Sequence, residues 1–209
     1  MSNNTEALIS KLVASHQAVR PFIVVPILLL TLLVLAVFAL FLVLPLGIRA
    51  DWPIAAVLKS AALLALTATF LMATIMSSGP ALPYRQQIGV FSIIMLVAIM
   101  LLMTFAKLGT ELSVERAVLE SSFWACVSWI ALVGGSAVLI LHRVLRRARP
   151  AKRQIFRLAV PLCAALLAAS VYSLHCPVDA LTYLFTAYLF ASVLVVSFSW
   201  WLSRHLWRW

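Results

Sequence analysis

Six long apolar stretches alternate with short polar connections along the chain. Each stretch is long enough to cross roughly 30 Å of hydrocarbon as a single α-helix, which takes about 20 residues. The connections contain residues that end helices, such as Pro45 and Gly47 after the first stretch and Pro177 after the fifth. The pattern predicts an all-α, polytopic membrane helix bundle. Its six predicted transmembrane helices cover residues 22–46, 54–78, 87–107, 121–141, 156–174 and 180–201.

Few residues lie outside the predicted bundle. A polar N-terminal segment, 1–21, precedes a transmembrane domain of residues 22–202, and a short tail of residues 203–209 follows it. The third connection, from Thr110 to Glu120, carries charges among apolar residues and predicts a short amphipathic helix outside the bilayer. These lengths leave no room for a separate soluble domain.

The composition agrees with a membrane protein. Hydrophobic residues make up 65% of the chain and charged residues 11%, whereas an ordinary soluble domain has about 45–50% apolar and about 25% charged residues. The formal net charge is +10, but the basic residues lie between the apolar stretches and not along one soluble face. This distribution indicates contact with membrane lipid and argues against direct nucleic acid binding.

The basic residues are shared unequally between the two ends of the predicted bundle. Of the 16 Lys and Arg residues, twelve lie in the N-terminal segment, the second and fourth connections and the C-terminal tail, and four lie towards the other end. Because short positively charged loops stay in the cytoplasm, both termini are predicted to be cytoplasmic. Lys59, within the second apolar stretch, is expected to extend its ammonium group outward to the membrane surface.

Two of the three cysteines are predicted to lie at the outer end of the bundle. Cys176 is in the turn between the fifth and sixth helices, and Cys126 lies about one and a half turns inside the fourth. Cys163, on the fifth helix, is roughly 20 Å deeper. Outside the cytoplasm, two thiols at one depth can form a disulfide or capture a soft metal or an electrophile. His175 and Asp179 are candidate supporting groups, as ligands or by favouring the thiolate.

No enzyme signature accompanies the cysteines. The chain lacks a C-x-x-C pair, a G-x-x-x-x-G-K-[ST] phosphate loop, H-E-x-x-H and G-x-S-x-G. Ionisable residues deep within the spans are scarce, which argues against an ion-coupled transporter. We therefore predict no enzymatic activity and no cofactor, and Cys126 and Cys176 are candidate metal ligands.

The N-terminal segment contains a second candidate binding surface. Leu8, Ile9, Leu12 and Val13 recur on one face of a short predicted helix. A helix of this length is marginal in water, so it is expected to fold on a surface. That surface is either the membrane or a groove on another protein.

Four segments, in their order and spacing, carry a family resemblance. They are Leu8 to Pro21, Ser122 to Cys126, Val171 to Asp179, and Leu206 to Trp209. Together they resemble the NrsF-type membrane anti-sigma factors, a family with six predicted spans. The resemblance implies a negative regulator that holds an extracytoplasmic-function (ECF) sigma factor at the bacterial inner membrane and keeps it from RNA polymerase.

The resemblance also assigns roles to residues. It implies that Cys126 and Cys176 are the family's stress-sensing cysteines, whereas Cys163 matches neither. Val178 stands where the family commonly has Glu, which favours thiol sensing over a mechanism that needs a Glu ligand. The sigma-binding residues would be those of the N-terminal segment, namely Leu8, Ile9, Leu12, Val13 and Arg20.

The sequence therefore predicts a membrane anti-sigma factor that releases its sigma factor on a thiol-reactive signal in the envelope, either oxidative or heavy-metal. Two alternatives stay open: a membrane thiol-redox protein, and a small transporter or accessory subunit. Open too are the oligomeric state, the identity of the sigma factor, the choice between disulfide, metal and alkylation, and the choice between release by conformational change and release by proteolysis.

Overall fold

The computed structural model describes residues 24–78, 84–109, 112–120, 122–145 and 153–206, and these ranges contain helices and their connections but no strand. The helices are α1 (Val24–Val43), α2 (Ile54–Ser78), α3 (Tyr84–Leu108), α4 (Val114–Leu119), α5 (Ser122–Leu145), α6 (Arg153–Tyr172), α7 (Leu181–Tyr183) and α8 (Leu189–Leu206). A 3₁₀ turn (Leu44–Leu46) extends α1, and a π-helical segment (Leu184–Tyr188) joins α7 to α8.

Six helical segments within the described part of the chain are long and apolar enough to cross a membrane. The prediction of a six-span, all-α bundle is therefore confirmed. Successive spans run in opposite directions, so their connections alternate between the two ends of the bundle. One end holds residues 47–53, 112–120 and 173–180. We call it the cysteine end, because Cys176 lies there.

Helix α6 occupies the centre of the bundle and α3 its periphery. In α6, 67% of the membrane-spanning part is buried, whereas in α3 the buried share of the membrane-spanning part is 11%. Helix α6 packs against α1, α2, α5 and α8, whereas α3 packs mainly on α2. The buried side chains form one cluster around Cys126, Cys176 and Tyr183 at the cysteine end, and a second around Leu141 and Phe156.

Small residues allow the central helices to approach closely. A Cβ atom at Gly134 of α5 would lie 3.1 Å from Val195 Cγ2 of α8 and 3.3 Å from Ala165 Cα of α6. Close backbone approach is how membrane helices gain packing energy, because lipid gives them no hydrophobic driving force towards one another. Gly134 therefore marks the point where α5, α6 and α8 meet.

Polar side chains line the contact between α2 and α6, the most extensive helix pair. Ser60 Oγ lies 2.8 Å from Ser173 Oγ, just beyond the end of α6, and Thr67 Oγ1 lies 3.3 Å from Ser170 Oγ. The Cys163 thiol donates to the Thr67 carbonyl oxygen at 3.8 Å. We call this row the polar seam. Hydrogen bonds of this kind hold helices together in lipid.

The short helix expected in the third connection is present as α4. It begins after Ser113, whose side chain accepts a hydrogen bond from the Arg116 backbone N–H at 3.4 Å. Ala117 of α4 is fully buried, and the helix packs on α7 and the π-helical segment. Helix α4 therefore covers the cysteine end of the sixth span.

Candidate functional site

Cys126 and Cys176 lie in one buried cluster at the cysteine end. Cys126 is about one turn inside α5, and Cys176 lies between α6 and α7. Their exposed fractions are 0% and 1%, and both are free thiols. Both side chains belong to the same cluster of packed, buried residues, together with Tyr172, Tyr183 and Tyr188. The structure thus brings together the two cysteines that the sequence singles out, and it buries both of them.

Tyrosines surround the two thiols. The Tyr183 hydroxyl lies 3.1 Å from Ser122 Oγ and interacts with the Cys126 thiol. The buried Tyr188 hydroxyl interacts with both thiols, which are weak hydrogen-bond partners, and makes no conventional hydrogen bond to the described residues. A buried hydroxyl without a strong partner costs about 1–3 kcal/mol. The surroundings of the thiols are therefore polar but incompletely satisfied.

The backbone of Cys176 is held on both sides. Its N–H donates to the Tyr172 carbonyl oxygen at 3.2 Å, which closes the turn at the end of α6. Its own carbonyl oxygen accepts a hydrogen bond from Lys59 Nζ at 3.0 Å. Pro177 follows and is exposed. Cys176 is therefore buried although it belongs to a connection.

Lys59 is buried, and the expectation that it extends outward is wrong. Its side chain is 1% exposed. Nζ donates to the carbonyl oxygens of Cys176 and Val178, at 3.0 and 2.9 Å, and pairs with Asp179 Oδ1 at 2.8 Å. The two hydrogen bonds and the ion pair together offset the hydration that the buried ammonium group loses.

The connection before α2 is joined to the connection before α7. The Arg49 guanidinium pairs with Asp179 Oδ2 at 2.6 Å. The backbone N–H of Arg49 donates to the Leu174 carbonyl oxygen at 3.2 Å. His175 Nδ1 donates to the Gly47 carbonyl oxygen at 2.7 Å. His175 and Asp179 therefore join the connection that carries Cys176 to the connection before α2.

The ligands that a metal ion would need are few around the thiols. Within the ranges that the structure describes, no three His, Cys, Asp or Glu side chains gather into a metal site. Cys163 lies in the other core cluster, where its thiol binds the Thr67 carbonyl oxygen. Among the described residues, the site therefore lacks the four ligands of a structural zinc site.

The structure adds residues that sequence reasoning missed. Four such residues contact the cysteine cluster or the stretch 176–179 that carries Cys176. They are Lys59, Arg49, Tyr183 and Tyr188. The available signal was an ionisable residue inside an apolar stretch, which is a functional candidate by default. The sigma-binding residues predicted in the N-terminal segment lie outside the described residues; they are Leu8, Ile9, Leu12, Val13 and Arg20. Residues 207–209 of the C-terminal tail also lie outside them.

Comparison with known proteins gives one match. The family model described as NrsF, negative regulator of sigma F, matches residues 12–209, which is nearly the whole chain. No curated protein and no solved structure matches the chain. The matched range includes all six spans and the cysteine cluster.

Proposed function

Because the chain belongs to the NrsF family of negative regulators of sigma F, we propose that it is a membrane-bound anti-sigma factor. It sequesters an ECF sigma factor at the bacterial inner membrane, away from RNA polymerase. The family match over residues 12–209 carries this proposal. It is supported by the six candidate spans and by the lack of enzyme motifs.

The proposed orientation places both termini in the cytoplasm and the cysteine end outside it. An even number of spans returns the chain to the side where it began, and the unequal distribution of Lys and Arg selects that side. The sigma factor then meets the bundle at the end opposite the thiols. Its proposed contacts are on the N-terminal segment, residues 1–21, with the apolar face of the predicted helix. That face consists of Leu8, Ile9, Leu12 and Val13, and Arg20 follows it.

The proposed signal is chemical modification of Cys126 and Cys176. Disulfide formation takes two protons and two electrons from the pair, and a peroxide that accepts them is reduced to water. A soft metal ion instead displaces the two thiol protons and is held between two sulfurs. With no third ligand from His, Cys, Asp or Glu among the described residues, these two reactions and alkylation suit the site better than a four-ligand ion does.

Modification releases the sigma factor only if it favours a second arrangement of the bundle. A change from 1% to 99% released needs a difference of about 5.5 kcal/mol between the two states. A covalent S–S bond, or two metal–sulfur bonds, can supply such a difference when it forms in only one arrangement. The change is proposed to pass through spans four to six, because α5, α6 and α8 meet at Gly134.

Pull-down of the tagged full chain from its native host tests the anti-sigma function. Mass spectrometry should identify a sigma factor, and a chain without residues 1–20 should lose it. Leu8→Asp with Leu12→Asp should also lose it, whereas Ser10→Asp, off the predicted apolar face, should keep it. Repeated recovery of no sigma factor from detergent extracts that contain the intact chain would contradict the proposal.

A reporter for the sigma factor's regulon tests the signal. Cys126→Ser with Cys176→Ser should abolish induction by oxidants and soft metals, while the matched control Cys163→Ser should respond normally. An unchanged response of the double variant to every thiol-reactive stress would rule out the proposed sensor.

A further inference from the structure

A group of three charged residues supports the cysteine site. We infer that Lys59, with Asp179 and Arg49, is a positioning residue of this site: its ammonium group holds residues 176–179 on α2 and thereby keeps both thiols closed to reagents. A role of Lys59 in signalling rests on the proposed function. Its role in keeping reagents from the thiols rests only on its contacts with residues 176–179.

The ammonium group of Lys59 makes two hydrogen bonds and one ion pair. Nζ donates to the carbonyl oxygens of Cys176 and Val178, at 3.0 and 2.9 Å, and lies 2.8 Å from its ion-pair partner, Asp179 Oδ1. All three oxygens belong to one stretch of four residues, so this stretch is folded around the cation. A lysine that is 1% exposed needs such partners, because an unpaired ammonium group is very costly to remove from water.

Asp179 is held from a second direction. Its side chain is 5% exposed, and while Oδ1 pairs with Lys59, Oδ2 pairs with Arg49 at 2.6 Å. Arg49 is fixed in turn by its backbone hydrogen bond to Leu174. One carboxylate therefore joins α2, the connection before it and the connection that carries Cys176.

These contacts restrict the Cys176 thiol through its backbone. The N–H of Cys176 is bonded to Tyr172 and its carbonyl oxygen to Lys59, so both polar backbone groups are fixed. The residue after Cys176 is Pro177, and its ring fixes its own φ angle, which further limits the freedom of this stretch. The thiol is buried in this position, in the same core cluster as Cys126. A reagent from water therefore reaches it when residues 176–179 leave Lys59.

Lys59 also connects the site to the other end of the bundle. The next residue, Ser60, begins the polar seam against α6, and α2 continues to Ser78. Coupling between two sites is reciprocal. Exposure of the thiols would weaken the contacts of Lys59 with residues 176–179. A displacement of α2 that weakens the same contacts would therefore expose the thiols. This path runs from the proposed signal to the proposed sigma-binding end.

Labelling with a membrane-impermeant maleimide tests the inference. The full chain with Cys126→Ser and Cys163→Ser retains only Cys176, and its rate of modification is measured in purified, folded protein. Lys59→Met should raise this rate about tenfold or more, because it removes the cation that closes the stretch. Lys107→Met is the matched control, since Lys107 is an exposed lysine in the last turn of α3, and it should leave the rate unchanged.

A second cysteine separates local opening from general loosening. In a chain that retains only Cys163, on α6 within the other core cluster, Lys59→Met should leave labelling slow. Arg49→Gln and Asp179→Asn apply the same test from the connections, with α2 unaltered, and should accelerate Cys176 labelling. An unchanged rate at Cys176 in all three variants, or equal acceleration at Cys163, would overturn the inference.

The labelling assay contains no sigma factor. If the pull-down fails while Cys176 labelling accelerates as expected, the anti-sigma function is wrong and the positioning role of Lys59 stands. If the pull-down succeeds while labelling is unchanged, the reverse holds.

Discussion

Replacing Lys59 with methionine, alone and together with Asp179→Asn, measures how the buried ion group contributes to stability. Methionine keeps an unbranched apolar side chain but removes the charge and all three donors. Asparagine keeps the shape of Asp179 and removes its charge. The two residues are in direct contact, at 2.8 Å, so their substitutions should not be independent.

The structure sets the expected magnitudes. Lys59→Met leaves the carbonyl oxygens of Cys176 and Val178 without a donor and Asp179 with Arg49 alone, so the free energy of unfolding should fall by about 3–5 kcal/mol. Asp179→Asn weakens hydrogen bonds to charged groups, which are worth about 1.5–3 kcal/mol. In the double variant both charges of the Lys59–Asp179 pair are removed, so neither is left without the other. Its loss should therefore be smaller than the sum by about 1–3 kcal/mol.

Reversible unfolding by dodecyl sulfate in mixed micelles, followed by far-ultraviolet circular dichroism, gives the four free energies of this cycle. Lys107→Met combined with Asp179→Asn is the control, because Lys107 is exposed and is not a member of the ion pairs of Asp179 with Lys59 and Arg49. That pair should add within about 0.5 kcal/mol. Equal additivity for Lys59 and Asp179 would refute the coupling and the reasoning behind it.

Two matched pairs of substitutions test the packing at the cysteine end. Gly109→Ala should lower the free energy of unfolding by about 1–3 kcal/mol, because its Cβ would lie 2.9 Å from a backbone oxygen of the facing connection. Gly89→Ala, with open space around it, should raise it by about 0.5–1 kcal/mol. Tyr183→Phe should cost about 0.5–1.5 kcal/mol, since it loses a hydrogen bond to a serine hydroxyl. Tyr188→Phe should be neutral or stabilising in the same micelle titration, since its hydroxyl makes no conventional hydrogen bond; a loss as large as that of Tyr183→Phe would contradict this.

The spans could be predicted from hydropathy because long apolar runs have few alternatives to crossing a bilayer. Their bounds were less accurate where polar residues begin a helix. Helix α3 starts at Tyr84 and α6 at Arg153, each three residues before the predicted bound of 87 or 156. Aromatic and basic side chains can continue a helix into the membrane interface, since their polar ends reach water. The π-helical segment left no signal in the pattern.

The partners of Lys59 could not be predicted. Its acceptors on Cys176 and Val178 are 117 and 119 residues away along the chain. A lysine that snorkels and a lysine that is buried have the same apolar neighbours in sequence, and only the tertiary position of Asp179 distinguishes them. The meeting of Cys126 and Cys176 followed from topology, because both lie near the same end of the bundle. The burial of Cys176 did not, since residues in connections are usually exposed.

The π-helical segment sets the angular relation between two tyrosines. In a regular α-helix, side chains five positions apart point in directions that differ by roughly 140°. Hydrogen bonding from residue i to i+5 instead brings the later residue nearly above the earlier one, and the rings of Tyr183 and Tyr188 lie 6.3 Å apart beside the thiols. A shift of one hydrogen-bond register here would move one hydroxyl away from the thiols. It would also turn every side chain of α8 by roughly 100° about the helix axis, so a change at the cysteine end would alter the face that the sixth span presents at the far end.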